Sequence, residues 1–142
     1  RTIGDNIVFS TFLKNSFEHD FNEIFKSGKN IHIWFEFRVL KDNKIIHFEK
    51  FYHLVKWNAS KGEYTVDLQE QNFKCSVKTN KELLYLISKV EYPFYKSSFK
   101  GDVTVEFKSY LPKVYLETIN KEVDLMLLWK MNTPSIRKDI KI

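Results

Sequence analysis

Between Asn30 and Leu40 the chain alternates strictly: Ile31, Ile33, Phe35, Phe37 and Val39 are apolar, while His32, Glu36 and Arg38 stand between them. Only an extended strand with one buried face sorts side chains with a period of two. A strand this long must find partners, and the next segment of the chain supplies the first. Asp42 and Asn43 are turn residues that tolerate positive φ, and a second apolar stretch runs from Ile45 to Trp57, so a long antiparallel hairpin is expected. The apolar phase of the return strand slips from Ile46 and Phe48 to Phe51, Val55 and Trp57, which predicts a bulge near Glu49 and Lys50.

The same rule gives further strands. Tyr64, Val66 and Leu68 alternate, as do Phe73, Cys75 and Val77, then Val103, Val105 and Phe107, and finally Leu125, Leu127, Trp129 and Met131. Ile7, Phe9, Thr11 and Leu13 give an earlier strand. Two segments change period. After a cap at Asn15 or Ser16, Phe17, Phe21, Ile24 and Phe25 recur at helical spacing, and Gly28 ends the helix. Thr79 and Glu82 form a capping box before Leu83, Leu84, Leu86, Ile87 and Val90, with Pro93 as the stop. Linkers this short forbid parallel crossovers. The expected fold is mainly β, at the margin of α+β: an antiparallel twisted sheet or β-sandwich of about seven strands with two short amphipathic helices. Residues 1–142 form a single domain, with 1–6 and 132–142 expected to fray.

Composition supports this reading and removes several functions. Aromatic residues make up 16% of the 142 residues, and they favour pleated, half-buried surfaces. The net charge of +5 rests on scattered lysines, with arginine only at Arg1, Arg38 and Arg137. Phosphate recognition concentrates arginine and lysine on one face, so nucleic acid is not an expected partner. Cys75 is the single cysteine, and no disulfide can form within the chain. No stretch approaches the roughly 18 apolar residues that span a bilayer. The chain opens at Arg1 rather than Met, and the membrane is expected to be met only through an anchor upstream of it.

Catalytic chemistry finds little to build on. His19, His32, His47 and His53 lie at no metal-binding spacing, and surface positions are expected for them. Cys75 falls on an apolar phase with no local base. Glu36, Glu49, Asp67, Glu70 and Glu106 have lysine neighbours that suit cross-strand ion pairs. Four glycines, at 4, 28, 62 and 101, make no phosphate loop. No catalytic residue, metal site or cofactor is therefore expected, and the chain is not read as an enzyme.

The helix ending at Gly28 before Ile31 to Phe37, the Tyr52, Leu54, Tyr64 and Val66 hairpin, and Leu111-Pro112-Lys113 leading to Asn120 and Trp129 resemble an uncharacterised bacterial family, a domain of unknown function associated with the cell envelope. The chain resembles a divergent member, with Val114 where the family has a second proline. The resemblance implies a non-enzymatic protein of the envelope, periplasmic or membrane-anchored outside the cytoplasm.

One surplus remains. Trp34, Phe51, Tyr52, Trp57, Tyr92, Phe94 and Tyr95 stand off the dominant apolar phase or in apparent connections. Exposed aromatics anchor interfaces, so the expected function is a non-catalytic protein–protein interaction module that docks another envelope protein through Trp34, Trp57, Tyr92, Phe94 and Tyr95. The alternative is a carrier enclosing a lipid-like apolar ligand between sheet and helices, with Phe21, Phe25, Leu84 and Ile87 as its lining.

Overall fold

A computed structural model describes residues 2–3, 6–13, 17, 20–95, 101–117, 119–128 and 135–141. Its elements in chain order are β1 (Thr2–Ile3), β2 (Asn6–Phe12), α1 (Asp20–Phe25), β3 (Ile31–Lys41), β4 (Lys44–Asn58), β5 (Glu63–Leu68), β6 (Phe73–Val77), α2 (Asn80–Ser88), β7 (Lys89–Tyr95), β8 (Asp102–Tyr110), β9 (Lys113–Leu116), β10 (Lys121–Asp124) and β11 (Ser135–Lys141). The fold is mainly β with an α+β margin, as the alternation predicts. A six-stranded antiparallel sheet runs in the order β11-β8-β3-β4-β5-β6, a three-stranded one in the order β1-β2-β7, and β9 and β10 form a separate hairpin.

The β3–β4 hairpin is the spine. Asp42 and Asn43 both have positive φ, 53° and 62°, and Lys41 pairs with Lys44 across them. That is the two-residue turn whose twist matches the strands it joins. Register then runs unbroken from Val39↔His47 to Ile31↔Val55. The expected bulge at Glu49 and Lys50 is absent, and the register shifts instead between Val39 and Leu40, opposite Ile46. The apolar slip has another cause. His47 and Glu49 share the inward face with Phe51, where Tyr92 receives them, while Phe48 turns outward under Arg38.

The inward faces of β3, β5 and β8 supply Ile31, Ile33, Phe35, Phe37, Val39, Tyr64, Val66, Leu68, Val103, Val105 and Phe107 to one core. The β2–β7 ribbon covers its centre: Phe9 of β2 meets Phe37 with ring centroids 5.4 Å apart, and Tyr92 of β7 stacks on Phe51 at 5.5 Å. Helix α1 lies against β4, and Phe17, Phe21, Ile24 and Phe25 are all buried, as their spacing requires. The expected cap at Asn15 or Ser16 lies outside the described residues. Helix α2 begins with the expected capping box, in which the Glu82 amide donates to Thr79 Oγ1 at 3.2 Å and Thr79 Oγ1 donates to Glu82 at 2.8 Å.

Three expectations are corrected. Helix α2 ends at Ser88 rather than running to Pro93, and Lys89 to Tyr95 form strand β7 instead of a connection. Val90, Tyr92 and Phe94 alternate into the core, and proline is tolerated at 93 because β7 is an edge strand. Leu125–Leu128 is a 3-10 turn, not the start of a strand, since the Leu125 amide donates to the Pro112 carbonyl and the Leu111 amide to the Met126 sulfur. Trp129 and Met131 lie outside the described residues. Toward the C-terminus, where fraying was expected, Ser135–Lys141 pairs along β8 from Ser135↔Lys108 to Lys141↔Asp102.

Candidate docking face

Directly paired residues of a sheet point the same way, so register decides which side chains meet on the outer face of the large sheet. Trp34 sits at the middle of β3, with Tyr52 of β4 opposite it on one side and Tyr110 of β8 on the other. His32 is two residues away on the same face. Its imidazole stacks on the indole at 5.6 Å and 12°, and Tyr110 lies near-parallel to the indole at 6.5 Å. Tyr52 is edge-on to both His32 and Trp34, at 5.0 and 5.4 Å. Lys50 extends back along β4 to place Nζ 4.4 Å from the Trp34 ring centre and 5.3 Å from that of Tyr110.

Charge divides this face into two halves. Towards β11, Arg38 donates to Glu36 at 2.7 Å and to Glu106 at 3.1 Å, and Lys108 stands 3.6 Å from Glu106. That half is closed by ion pairs, of which Arg38–Glu106 crosses strands as expected for Glu106, whereas Glu36 is met by Arg38 of its own strand. Around the rings the balance differs: Lys50 and Lys56 are exposed and have no carboxylate partner among the described residues. Burial, and secondarily the Lys56 ammonium, lowers the His32 pKa below the ordinary histidine value. Burial therefore favours the neutral form of His32. Its charged form is disfavoured on folding, so its stabilising contribution is present above about pH 6.5 and falls as pH drops below that value. A proton NMR titration should place the His32 midpoint below about 6.5, and Lys56→Ala should move it upward.

The five residues singled out in the sequence separate on this structure. Trp34 lies at the heart of the outer face. Trp57 points inward at the end of β4, packed 4.8 Å from Tyr64 with Lys26 Nζ 5.2 Å above it, where it closes the gap beside α1. Tyr92 and Phe94 are core residues at 5% and 3% exposure, so neither can anchor a partner. They alternate with Glu91 and Pro93, a period of two that four successive bulky residues conceal. The Tyr95 side chain lies outside the described residues. Sequence reading missed His32, Tyr110 and Lys50, and it noted Tyr52 without placing it. Tyr110 continues the polar phase of Glu106 and Lys108, but only the β3–β8 register shows that it lands beside Trp34.

Two polar clusters lie on the inward side of the sheet, one buried and one at its exposed edge. His53, expected at the surface, is fully buried: Nδ1 donates to the Ile87 carbonyl at 2.8 Å, and Nε2 meets the Glu70 carboxylate at 2.9 Å. His47 Nε2 lies 3.1 Å from the Tyr92 hydroxyl, which donates to Glu49. Burial first, and the Glu49 hydrogen bond second, push the Tyr92 phenol upward, so it holds its proton and cannot serve as a base. The Cys75 thiol is also pushed up, by burial and then by Glu82, which withholds the thiolate a nucleophile needs. Among the described residues no three His, Cys, Asp or Glu side chains group to hold a metal, and no helix is long and apolar enough to cross a membrane. Of the residues expected to line a carrier's cavity, Phe21, Phe25 and Ile87 are buried in the core and Leu84 packs half-buried against it.

In comparisons with known proteins, no family model, no curated protein and no solved structure matches the chain.

Proposed function

We propose that the protein is a non-catalytic docking module whose contact surface is the aromatic half of the outer sheet face: His32, Trp34, Tyr52 and Tyr110, with Lys50 and Lys56 beside them. The observation that carries this reading is the convergence of four half-buried rings from three strands on the outer face of the large sheet. Large aromatic side chains at the centre of a patch are what interface hot spots are made of. The two lysines lack carboxylates of their own, which suits a partner whose surface supplies them. With Lys50 over the Trp34 ring, the indole face is not open to a stacking base, which speaks for a protein partner over a single-stranded nucleic acid. The compartment we assign, the bacterial cell envelope, rests on the family resemblance alone.

The test is affinity capture from envelope extracts with the unmodified chain, a Trp34→Ala/Tyr110→Ala variant and a Tyr85→Ala control on α2. Loss of two central aromatics should weaken capture about 30-fold or more, while the control matches the unmodified chain. Capture should also fall as salt rises, because the lysines act through a screened field. Equal capture by all three chains, or capture by none, removes the proposal.

A further inference from the structure

The small ribbon is narrower than the sheet it covers. β7 lies over β4 and β2 over β3, and beyond β2 the ribbon adds only the two-residue β1, so the flank formed by β8 and β11 extends past β2 along most of its length. Register puts Ile136, Lys138 and Ile140 of β11 on the same inward side as Phe107, Val105 and Val103 of β8. Ile136 is 52% exposed, although its face is the one that elsewhere builds the core. Between this flank and β2 runs a cleft of about 450 Å³ walled by Phe9, Val105, Phe107, Ile136 and Ile140, with Lys138 among its lining residues. A second recess of about 250 Å³ continues it, sharing Thr11, Phe107 and Ile136 and reaching Phe35 at the core.

We propose that this cleft is a binding site for one anionic amphiphile, an alkyl chain bearing a carboxylate head. Its size falls within the roughly 300–1,000 Å³ of small-molecule sites. Its walls are aliphatic and aromatic, so they select an apolar body. Lys138 is the charged side chain that faces inward with them, no carboxylate lines either part of the cleft among the described residues, and no ion pair engages Lys138 there. A carboxylate head at the mouth beside Lys138 therefore meets a cation that no carboxylate of the described residues engages, while a cationic head meets repulsion. The chain then lies along β2 and reaches towards Phe107 and Phe35. This site is on the opposite side of the large sheet from the docking face, so either assignment can fail without the other.

Titration calorimetry on the full chain, with saturated fatty carboxylates of rising length below their micelle concentrations, tests the proposal. Affinity should rise about fourfold for each added methylene until the cleft is full, and matched alkyltrimethylammonium ions should bind more weakly. Ile136→Asp, an exposed position that tolerates change, should weaken carboxylate binding at least about tenfold, whereas Ile119→Asp in the β9–β10 turn should leave it unchanged. Lys138→Glu should reverse the preference between the two head groups. Affinity independent of chain length, equal binding of both head groups, or the same response from Ile136→Asp and Ile119→Asp overturns it.

Discussion

Glu70→Ala should destabilise the protein by about 3–5 kcal/mol, read as a lower urea midpoint with an unchanged slope. His53 and Glu70 have fully buried side chains, and their contact cannot be made without a proton between Nε2 and the carboxylate. Nδ1 must carry its own proton, because it faces the Ile87 carbonyl. That carbonyl lies in the last turn of α2, where no amide remains within the helix to satisfy it. His53 therefore caps α2, as the Leu13 amide does for the Ser88 carbonyl at 2.8 Å. Glu70 also accepts from the Glu91 amide at 3.2 Å, so one carboxylate ties the 3-10 turn at Gln69–Gln71 to β4 and to β7. Removing it strands the buried imidazole of His53. His53→Leu combined with Glu70→Leu should regain only part of the loss, because the Ile87 carbonyl loses the imidazole donor that caps it. A loss below about 1 kcal/mol for Glu70→Ala would show that these groups find other partners.

This cluster also marks where sequence reading stopped. Period-two alternation located β3, β5 and β8, and helical spacing found α1, because in those segments burial and residue type agree; β6 was also located, although its Phe73 is exposed. His53 breaks the agreement, being a polar residue on the inward phase of β4, with its two partners 17 and 34 residues away. Nothing local distinguishes it from a solvent-facing histidine. Strand β7 failed for the opposite reason: Tyr92, Pro93, Phe94 and Tyr95 are bulky in succession, so the alternation of burial is invisible in residue type. β11 carries Arg137, Lys138 and Asp139 between Ile136 and Ile140, and it is held by backbone pairing rather than by a buried face. The docking face was half legible. Trp34 could be seen as an aromatic on the polar phase of β3, but its meeting with Tyr52 and Tyr110 is a product of register across three strands.

Phe37→Ala should cost about 3–5 kcal/mol and should loosen the small ribbon more than the large sheet. Phe37 is completely buried, and its ring reaches both layers. It lies 5.4 Å from Phe9 of β2, 4.4 and 5.9 Å from Tyr92 and Phe94 of β7, and 4.8 Å from Phe107 of β8. Truncation leaves a cavity at the point where the ribbon rests on the sheet, and close packing allows only partial collapse. β3 keeps its hydrogen-bond ladders to β4 and β8, because these depend on the backbone. The ribbon has no such ladder to the large sheet among the described residues and holds to it through side chains. Hydrogen exchange should therefore accelerate at β2 and β7 amides before it does at the centres of β3 and β4. Trp34 and Tyr110, on the other surface of the same strands, should keep their mutual arrangement, so capture through the outer face should persist at temperatures where the variant stays folded. Uniform acceleration across both sheets would instead mean that the two layers unfold as one unit, and that the outer face depends on the ribbon beneath it.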